Sequence, residues 1–168
     1  MPAPYVELHC HSSFSFLDGA SSPLELATAA AELGYPALGL VDHDGIWGSM
    51  EFAVSCKGAG VRPITGTELT VSAAGRLFHL TMLVEDETGY RNLCKVVSKG
   101  FTDGFHRKPR VDYSTLSKHS EGLIALTACL GGEVPQAIIR GKGPSLALVK
   151  IDEYLKIFGR ENLFLEIQ

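Results

Sequence analysis

Two apolar runs near the start of the chain each end in residues that can hold a metal ion. Tyr5–Leu8 runs into His9-Cys10-His11, and Ala37–Val41 runs into Asp42-His43-Asp44. Both read as strands, and the second, a continuous apolar run, is consistent with a buried parallel strand. Between the two, Ser22-Pro23-Leu24-Glu25 marks a helix start. Ser22 is the N-cap, Pro23 takes the first helical position, and Glu25 closes a capping box. Leu26, Ala29, Ala30 and Leu33 give this helix an apolar stripe, Gly34 stops it, and Pro36 prevents its resumption. Strand, helix, strand, with the polar residues at the strand ends, predicts an α/β fold with its site along the C-terminal ends of the strands.

The rest of the chain continues the alternation. A helix is expected from about Gly48 to Lys57, a strand over Ile64–Val71, a tight turn at Ala73-Ala74-Gly75 and a returning strand over Leu77–Val84. The last pair reads as a hairpin. Thr88–Ser98 reads as a helix, 100–112 as a Gly- and charge-rich loop, and Tyr113–His119 as a short helix. Leu123–Leu126 reads as a strand, Glu133–Arg140 and Ser145–Phe158 as helices, and Leu163–Ile167 as a last strand. A mostly parallel sheet follows, and an open sheet and a barrel both fit.

At 168 residues, 45% hydrophobic and 20% charged, the chain suits one packed domain, and disorder is excluded for most of it. No stretch approaches the roughly 20 apolar residues that span a bilayer. Met1-Pro2-Ala3-Pro4 carries neither the basic nor the apolar part of a signal peptide, so the cytoplasm is expected, with no membrane partner. Cys10, Cys56, Cys94 and Cys129 are therefore expected as thiols. Cys56 and Cys94 fall in helical patterns and read as small core residues. Charge is uneven along the chain. Residues 1–90 hold 11 acids and 3 bases, whereas 91–119 hold 7 bases and 2 acids. The acidic half carries four of the six histidines, which suits cation binding. The basic stretch suits phosphate, an acidic partner, or plain solvent.

The candidate ligands follow from strand geometry. Residues two apart on a strand share a face, so His9 and His11 can reach one ion while Cys10 points away. Asp18 follows in the Ser-rich loop, and His43 ends the second apolar run. Glu68 lies on the third strand, and the hairpin brings His79 to the same end. Cys129 sits between a buried strand and a Gly-Gly turn. Such an N/O/S set suits Zn²⁺, Mn²⁺ or Fe rather than Ca²⁺, and a carboxylate such as Glu68 could bridge two ions. Asp42 either orients an imidazole or caps the next helix. Asp44 either supports a ligand or serves the turn. His106 and His119 read as surface residues.

These motifs carry a resemblance. His9-x-His11-Ser12, Asp18-Gly19, Asp42-His43-Asp44 and Gly66-x-Glu68 resemble the polymerase-and-histidinol-phosphatase (PHP) family of metal-dependent phosphoesterases. Phe78–Leu83, Gly89–Leu93 and Glu121–Pro135 narrow it. They are similar to the PHP domains at the N-terminus of bacterial DNA polymerase III alpha subunits and their error-prone relatives. The resemblance implies a distorted (β/α)7 barrel with up to three divalent metal ions. His9, His11, Asp18, His43, Glu68, His79 and Cys129 would be ligands, with Asp18, His43 and Glu68 closest to the chemistry.

The resemblance also implies that residues 1–168 are the N-terminal portion of the domain. The family's closing Asp-x-His pair and last strand fall beyond Gln168, so the barrel is expected to be incomplete and prone to self-association. In the intact protein the implied activity is proofreading 3′–5′ exonuclease chemistry within a nucleotidyltransferase for replication or repair. The polymerising Mg²⁺ site would lie in other domains. DNA, the remaining polymerase domains and other replisome subunits are the implied partners, with Arg107, Lys108 and Arg110 meeting phosphate or a neighbouring domain. An independent phosphatase of a small phosphate monoester and a catalytically inactive structural module are the competing readings.

Overall fold

A computed structural model describes residues 5–168. The Met1–Pro4 segment, read above for its lack of a leader, lies outside the described residues. The chain divides into two compact units, residues 1–67 and 68–168.

The first unit alternates strand and helix. β1 (Glu7–Cys10) leads to α1 (Pro23–Glu32), β2 (Ala37–Leu40), α2 (Ser49–Ala59) and the first half of β3 (Arg62–Ala73). β2 pairs in parallel with β1 and with β3, Cys10 facing Leu40 and Leu40 facing Thr65. The predicted capping box is present. The Ser22 hydroxyl accepts from the Glu25 N–H, and the Glu25 carboxylate accepts from the Ser22 N–H. Gly34 ends the helix at φ 73°. Ala27, Ala30, Leu38, Leu40, Phe52, Cys56 and Val61 form the core, with Cys10 packed against it. α2 runs through Gly58 and stops only at Gly60, which is left-handed. β1 begins two residues later than the apolar run suggests, so that His9 lies within it and His11 just beyond it.

The second unit holds the rest of β3, then β4 (Arg76–Val84), α3 (Glu87–Thr102), α4 (Tyr113–Lys118), β5 (Leu123–Leu126), α5 (Glu133–Ala137), α6 (Gly143–Phe158) and β6 (Leu163–Phe164). Its strands lie in the order β3-β4-β5-β6. Ala74 and Gly75, at φ 49° and 72°, make the two-residue turn of the expected hairpin. β4 is antiparallel to β5, and β5 is parallel to β6, so this unit departs from a mainly parallel sheet. α3 buries Gly89, Asn92, Leu93, Val96 and Gly100 along one stripe. Gly89 has a steric reason, since a Cβ there would stand 1.7 Å from the Gly122 carbonyl oxygen.

Three boundaries differ from expectation by more than two residues. α3 continues to Thr102, because its stripe is completed by Gly100 packing near Pro109 and Val111. The helix expected over 133–140 ends at Ala137 in a π-helical turn, Ile138–Lys142. The last strand is two residues long, because only Leu163 and Phe164 find partners on β5. No described helix is long and apolar enough to cross a membrane.

Candidate metal centre

In the first unit, His11, Asp18 and His43 each bring a ligand atom within 4.8 Å of the others. His43 Nε2 lies 2.9 Å from an Asp18 carboxylate oxygen, and the His11 and His43 rings stack at 4.4 Å. His9 lies beside them, its ring 5.1 Å from that of His11. Behind this group sits Asp42, 1% exposed. Its carboxylate accepts from the Ser12 N–H, the Ser12 hydroxyl and the Ser15 hydroxyl, all at 2.8 Å. Its own carbonyl accepts from the Thr67 hydroxyl at 2.7 Å, which in turn accepts from the Gly45 N–H.

The Ser15 hydroxyl also lies 3.3 Å from His11 Nδ1 and 3.1 Å from the His43 N–H. A hydroxyl has one proton and two lone pairs. The proton goes to Asp42, so the lone pairs face His43 N–H and His11 Nδ1–H. That fixes His11 with its proton on Nδ1 and presents Nε2 as the donor to a cation.

In the second unit, Glu68, His79 and Cys129 form another such group. Glu68 is 2% exposed. Its Oε1 lies 2.9 Å from His79 Nδ1 and 3.4 Å from Cys129 Sγ, and the thiol is 3.5 Å from His79 Nδ1. The backbone holds this arrangement. His79 N–H donates to the Gly131 carbonyl at 3.0 Å, and Gly131 N–H donates to Cys129 Sγ at 3.3 Å. The Gly-Gly turn is sterically required. A Cβ on Gly132 would stand 2.1 Å from the Thr127 carbonyl oxygen, and one on Gly131 would crowd His79 Nδ1 at 3.1 Å. Burial pushes the Cys129 thiol up, and the Glu68 carboxylate adds to this against the opposing Gly131 N–H. A cation that binds here as thiolate ligand therefore displaces a proton. Cys10 is a different thiol. Burial, with Glu7 and Asp42 nearby, pushes it to about 11, as an inert structural cysteine.

Both groups fit a divalent transition metal in their chemistry: imidazole, carboxylate and one thiolate, converging from strand ends and turns. Arg107, Lys108 and Arg110 lie in the loop between α3 and α4, with Arg107 at φ 67°.

The sequence profile of the PHP domain matches residues 7–168. The chain belongs to the PHP domain family. Among curated relatives, the DNA polymerase III subunit alpha of Treponema pallidum (strain Nichols) is 39% identical, over 98% of this chain and 15% of the relative. That of Thermus aquaticus is 40% identical, over 98% and 14%. That of Aquifex aeolicus (strain VF5) is 37% identical, over 100% and 16%. The chain thus spans about one seventh of the length of these relatives. Among solved structures, a Bifidobacterium adolescentis protein assigned as a metal-dependent phosphoesterase matches with a TM-score of 0.56. It is 17% identical, over 98% of this chain and 86% of that one, and supports the α/β PHP fold.

The PHP motifs locate the imidazoles but not what holds them. Ser12 stands in the PHP motif, but no positioning role for it, Ser15 or Thr67 follows from the sequence, although two of them belong to the run Ser12-Ser13-Phe14-Ser15. Asp42 does not cap α2, whose N-cap is Gly48. It acts on His11 through Ser15. Asp44 is left-handed, at φ 51°.

Proposed function

We propose that this chain is the N-terminal PHP portion of a bacterial DNA polymerase III alpha subunit. Its His, Asp, Glu and Cys residues would hold divalent metal ions for phosphodiester hydrolysis, used in the intact protein as a 3′–5′ exonuclease. The observation that carries the reading is the pair of three-residue donor groups, His11/Asp18/His43 and Glu68/His79/Cys129. The extent and identity of the polymerase relatives give the context.

Zn²⁺, Mn²⁺ or Fe ions bound at these donors, up to three in the intact domain, would lower the pKa of a bound water and offset charge on phosphoryl oxygens. The chain's own residues do the rest. His9, His11, His43 and His79 present nitrogen donors, with His11 held to one tautomer by Ser15. Asp18, His43 and Glu68 are the residues this reading assigns to the chemistry. Arg107, Lys108 and Arg110 take up phosphate charge on the substrate strand or meet a neighbouring polymerase domain. DNA and the other polymerase and replisome components are the partners of this reading, with cytoplasm as its compartment.

The test uses protein loaded with Mn²⁺ or Zn²⁺. Hydrolysis of bis(p-nitrophenyl) phosphate that falls at least a hundredfold in His43→Ala and Cys129→Ala is expected. Turnover confined to p-nitrophenyl phosphate would favour the monoester phosphatase instead. Absence of both, with metal bound, would favour a structural PHP module.

A further inference from the structure

The loop between α3 and α4 is held rather than slack. Asp103 and Gly104 N–H groups donate to the Lys99 carbonyl, at 2.9 and 3.1 Å. His106 N–H donates to the Lys108 carbonyl at 3.1 Å around left-handed Arg107. Val111 is stitched to β3 on both sides: its N–H donates to the Thr70 carbonyl at 2.9 Å, and its carbonyl accepts from Ser72 N–H at 2.8 Å. Gly104 has no room for a side chain, since a Cβ would stand 1.9 Å from the Arg110 carbonyl oxygen.

This loop walls a cavity of about 400 Å³, whose lining includes Ser72, Lys99, Asp103, Phe105, Arg110 and Asp112. That is within the usual range for small-ligand sites, roughly 300–1,000 Å³. Its two cations are balanced by its two carboxylates, and Lys99 is already paired with Asp103 at 3.1 Å. The interior is therefore suited to a neutral polar group rather than a phosphate. Both carboxylates are held below the usual range, Asp103 by Thr102 and Lys99, and Asp112 by the Thr115 N–H, so they act as acceptors. Phe105 is 57% exposed, and its ring lies 26° from parallel with that of Phe101 at 6.3 Å. It offers a flat aromatic face at the wall. Uncompensated positive charge sits beside the cavity on the same loop, at Arg107 and Lys108.

A flat polar group with amino donors, attached to a chain of phosphates, meets all of these features at once. We propose that the cavity takes an unpaired base of a nucleic-acid strand, stacked on Phe105, with the flanking phosphates on Arg107 and Lys108. A base within a duplex has both faces stacked and its edge paired, so the strand must be single. Ser72 lies four residues beyond Glu68 on β3, on the same face and about 13 Å along it. The site would thus position a strand whose end reaches the Glu68 group. The inference rests on the phosphodiesterase reading for its purpose, but its binding can be measured without metal.

The experiment is fluorescence anisotropy in chelating buffer with the whole 168-residue protein. The probes are a short labelled single-stranded oligodeoxynucleotide, its duplex and an abasic strand of equal length. The single strand is expected to bind tighter than the other two. Phe105→Ala weakens it roughly tenfold or more, and Phe105→Tyr restores it. The double variant Arg107→Gln/Lys108→Gln lowers the salt dependence by roughly 0.7 per charge removed. Absence of binding by the parent, equal binding of duplex or abasic strand, or an unaffected Phe105→Ala would overturn the proposal. Hydrolysis of the small diester by the metal-loaded parent is read separately. Base-dependent binding without that hydrolysis keeps the cavity and sinks the phosphodiesterase reading, and hydrolysis without binding does the reverse.

Discussion

Ser15 gives its one hydroxyl proton to Asp42, at 2.8 Å, and so must accept from His11. One buried carboxylate therefore sets, through Ser15, which nitrogen of His11 faces a cation. Ser15→Ala is expected to leave the fold intact and to weaken metal binding about 10- to 100-fold, the usual effect of removing a group that orients a ligating histidine. Asp42→Ala removes the acceptor of three hydrogen bonds and is expected to cost about 3–5 kcal/mol in stability. Calorimetric metal titration of Ser15→Ala beside denaturant unfolding of both variants separates the two effects. A Ser15→Ala variant with parental metal affinity would show that the serine does not position His11.

Metal bound at the two donor groups stabilises only the folded chain. At a metal concentration 100 times Kd this adds about 2.7 kcal/mol per site. For a chain of this size about 2–4 °C in Tm accompanies each kcal/mol. With both groups filled, chelation is expected to lower Tm by roughly 10–20 °C. Cys129→Ser, which replaces a thiolate by a hydroxyl that does not ionise, is expected to abolish about half of that difference, the share of the Glu68/His79/Cys129 group. Scanning calorimetry with and without chelator decides it, and identical midpoints in the parent would argue against metal at these residues.

The parts of this fold legible in the sequence are those with local signals. Ser22, Pro23 and Glu25 specify the start of α1 within four residues, and the apolar run Leu123–Leu126 is β5 to the residue. His9 and His43 could be read because apolar runs stop just before them, and Glu68 because the turn at Ala73–Gly75 marks its strand as half of a hairpin. What escaped depends on partners far apart in sequence. Asp42 draws its hydrogen bonds from residues 27 and 30 positions earlier, and no periodicity encodes that. Glu133 reads as a first-turn helix acid, which it is, yet it is also buried by residues 20 and 21 positions away. Gly141, Gly143 and Pro144 mark the break between the last two helices, but nothing local marks the π-helical turn Ile138–Lys142 that leads into it.

Glu133 is 4% exposed and collects the hydroxyls of Tyr113 and Tyr154, the latter at 3.2 Å, together with Lys150 Nζ at 2.9 Å. Burial pushes both tyrosines far above their ordinary range, so they remain donors across the working pH. The group ties α4, α5 and α6 together. Glu133→Ala leaves half-buried Lys150 with Glu153 alone and takes the shared acceptor from the Tyr113 and Tyr154 hydroxyls, and is expected to cost about 1–3 kcal/mol. Glu133→Gln is expected to cost less, and adding Lys150→Met to it should recover part of the loss. Urea unfolding of the four proteins checks this. Recovery would show that the penalty comes from the stranded charge rather than from lost packing.

Asp112 caps α4: its carboxylate accepts from the Thr115 N–H at 2.8 Å, and that bond holds its pKa below the ordinary aspartate range. A depressed folded-state pKa means that the carboxylate stabilises the fold above its unfolded-state pKa, and that this contribution fades as pH falls through the folded-state value. Asp112→Ala is therefore expected to lose about 1 kcal/mol at neutral pH, as for other N-caps. The gap between variant and parent should narrow below about pH 4, the ordinary aspartate pKa. Asp112→Asn, which caps without a charge, should show a smaller loss and little pH dependence of its own. Denaturation midpoints of the three proteins from pH 7 to pH 3 provide the comparison. A gap between Asp112→Ala and the parent that stays constant over that range would mean that the side chain's charge contributes nothing to the cap.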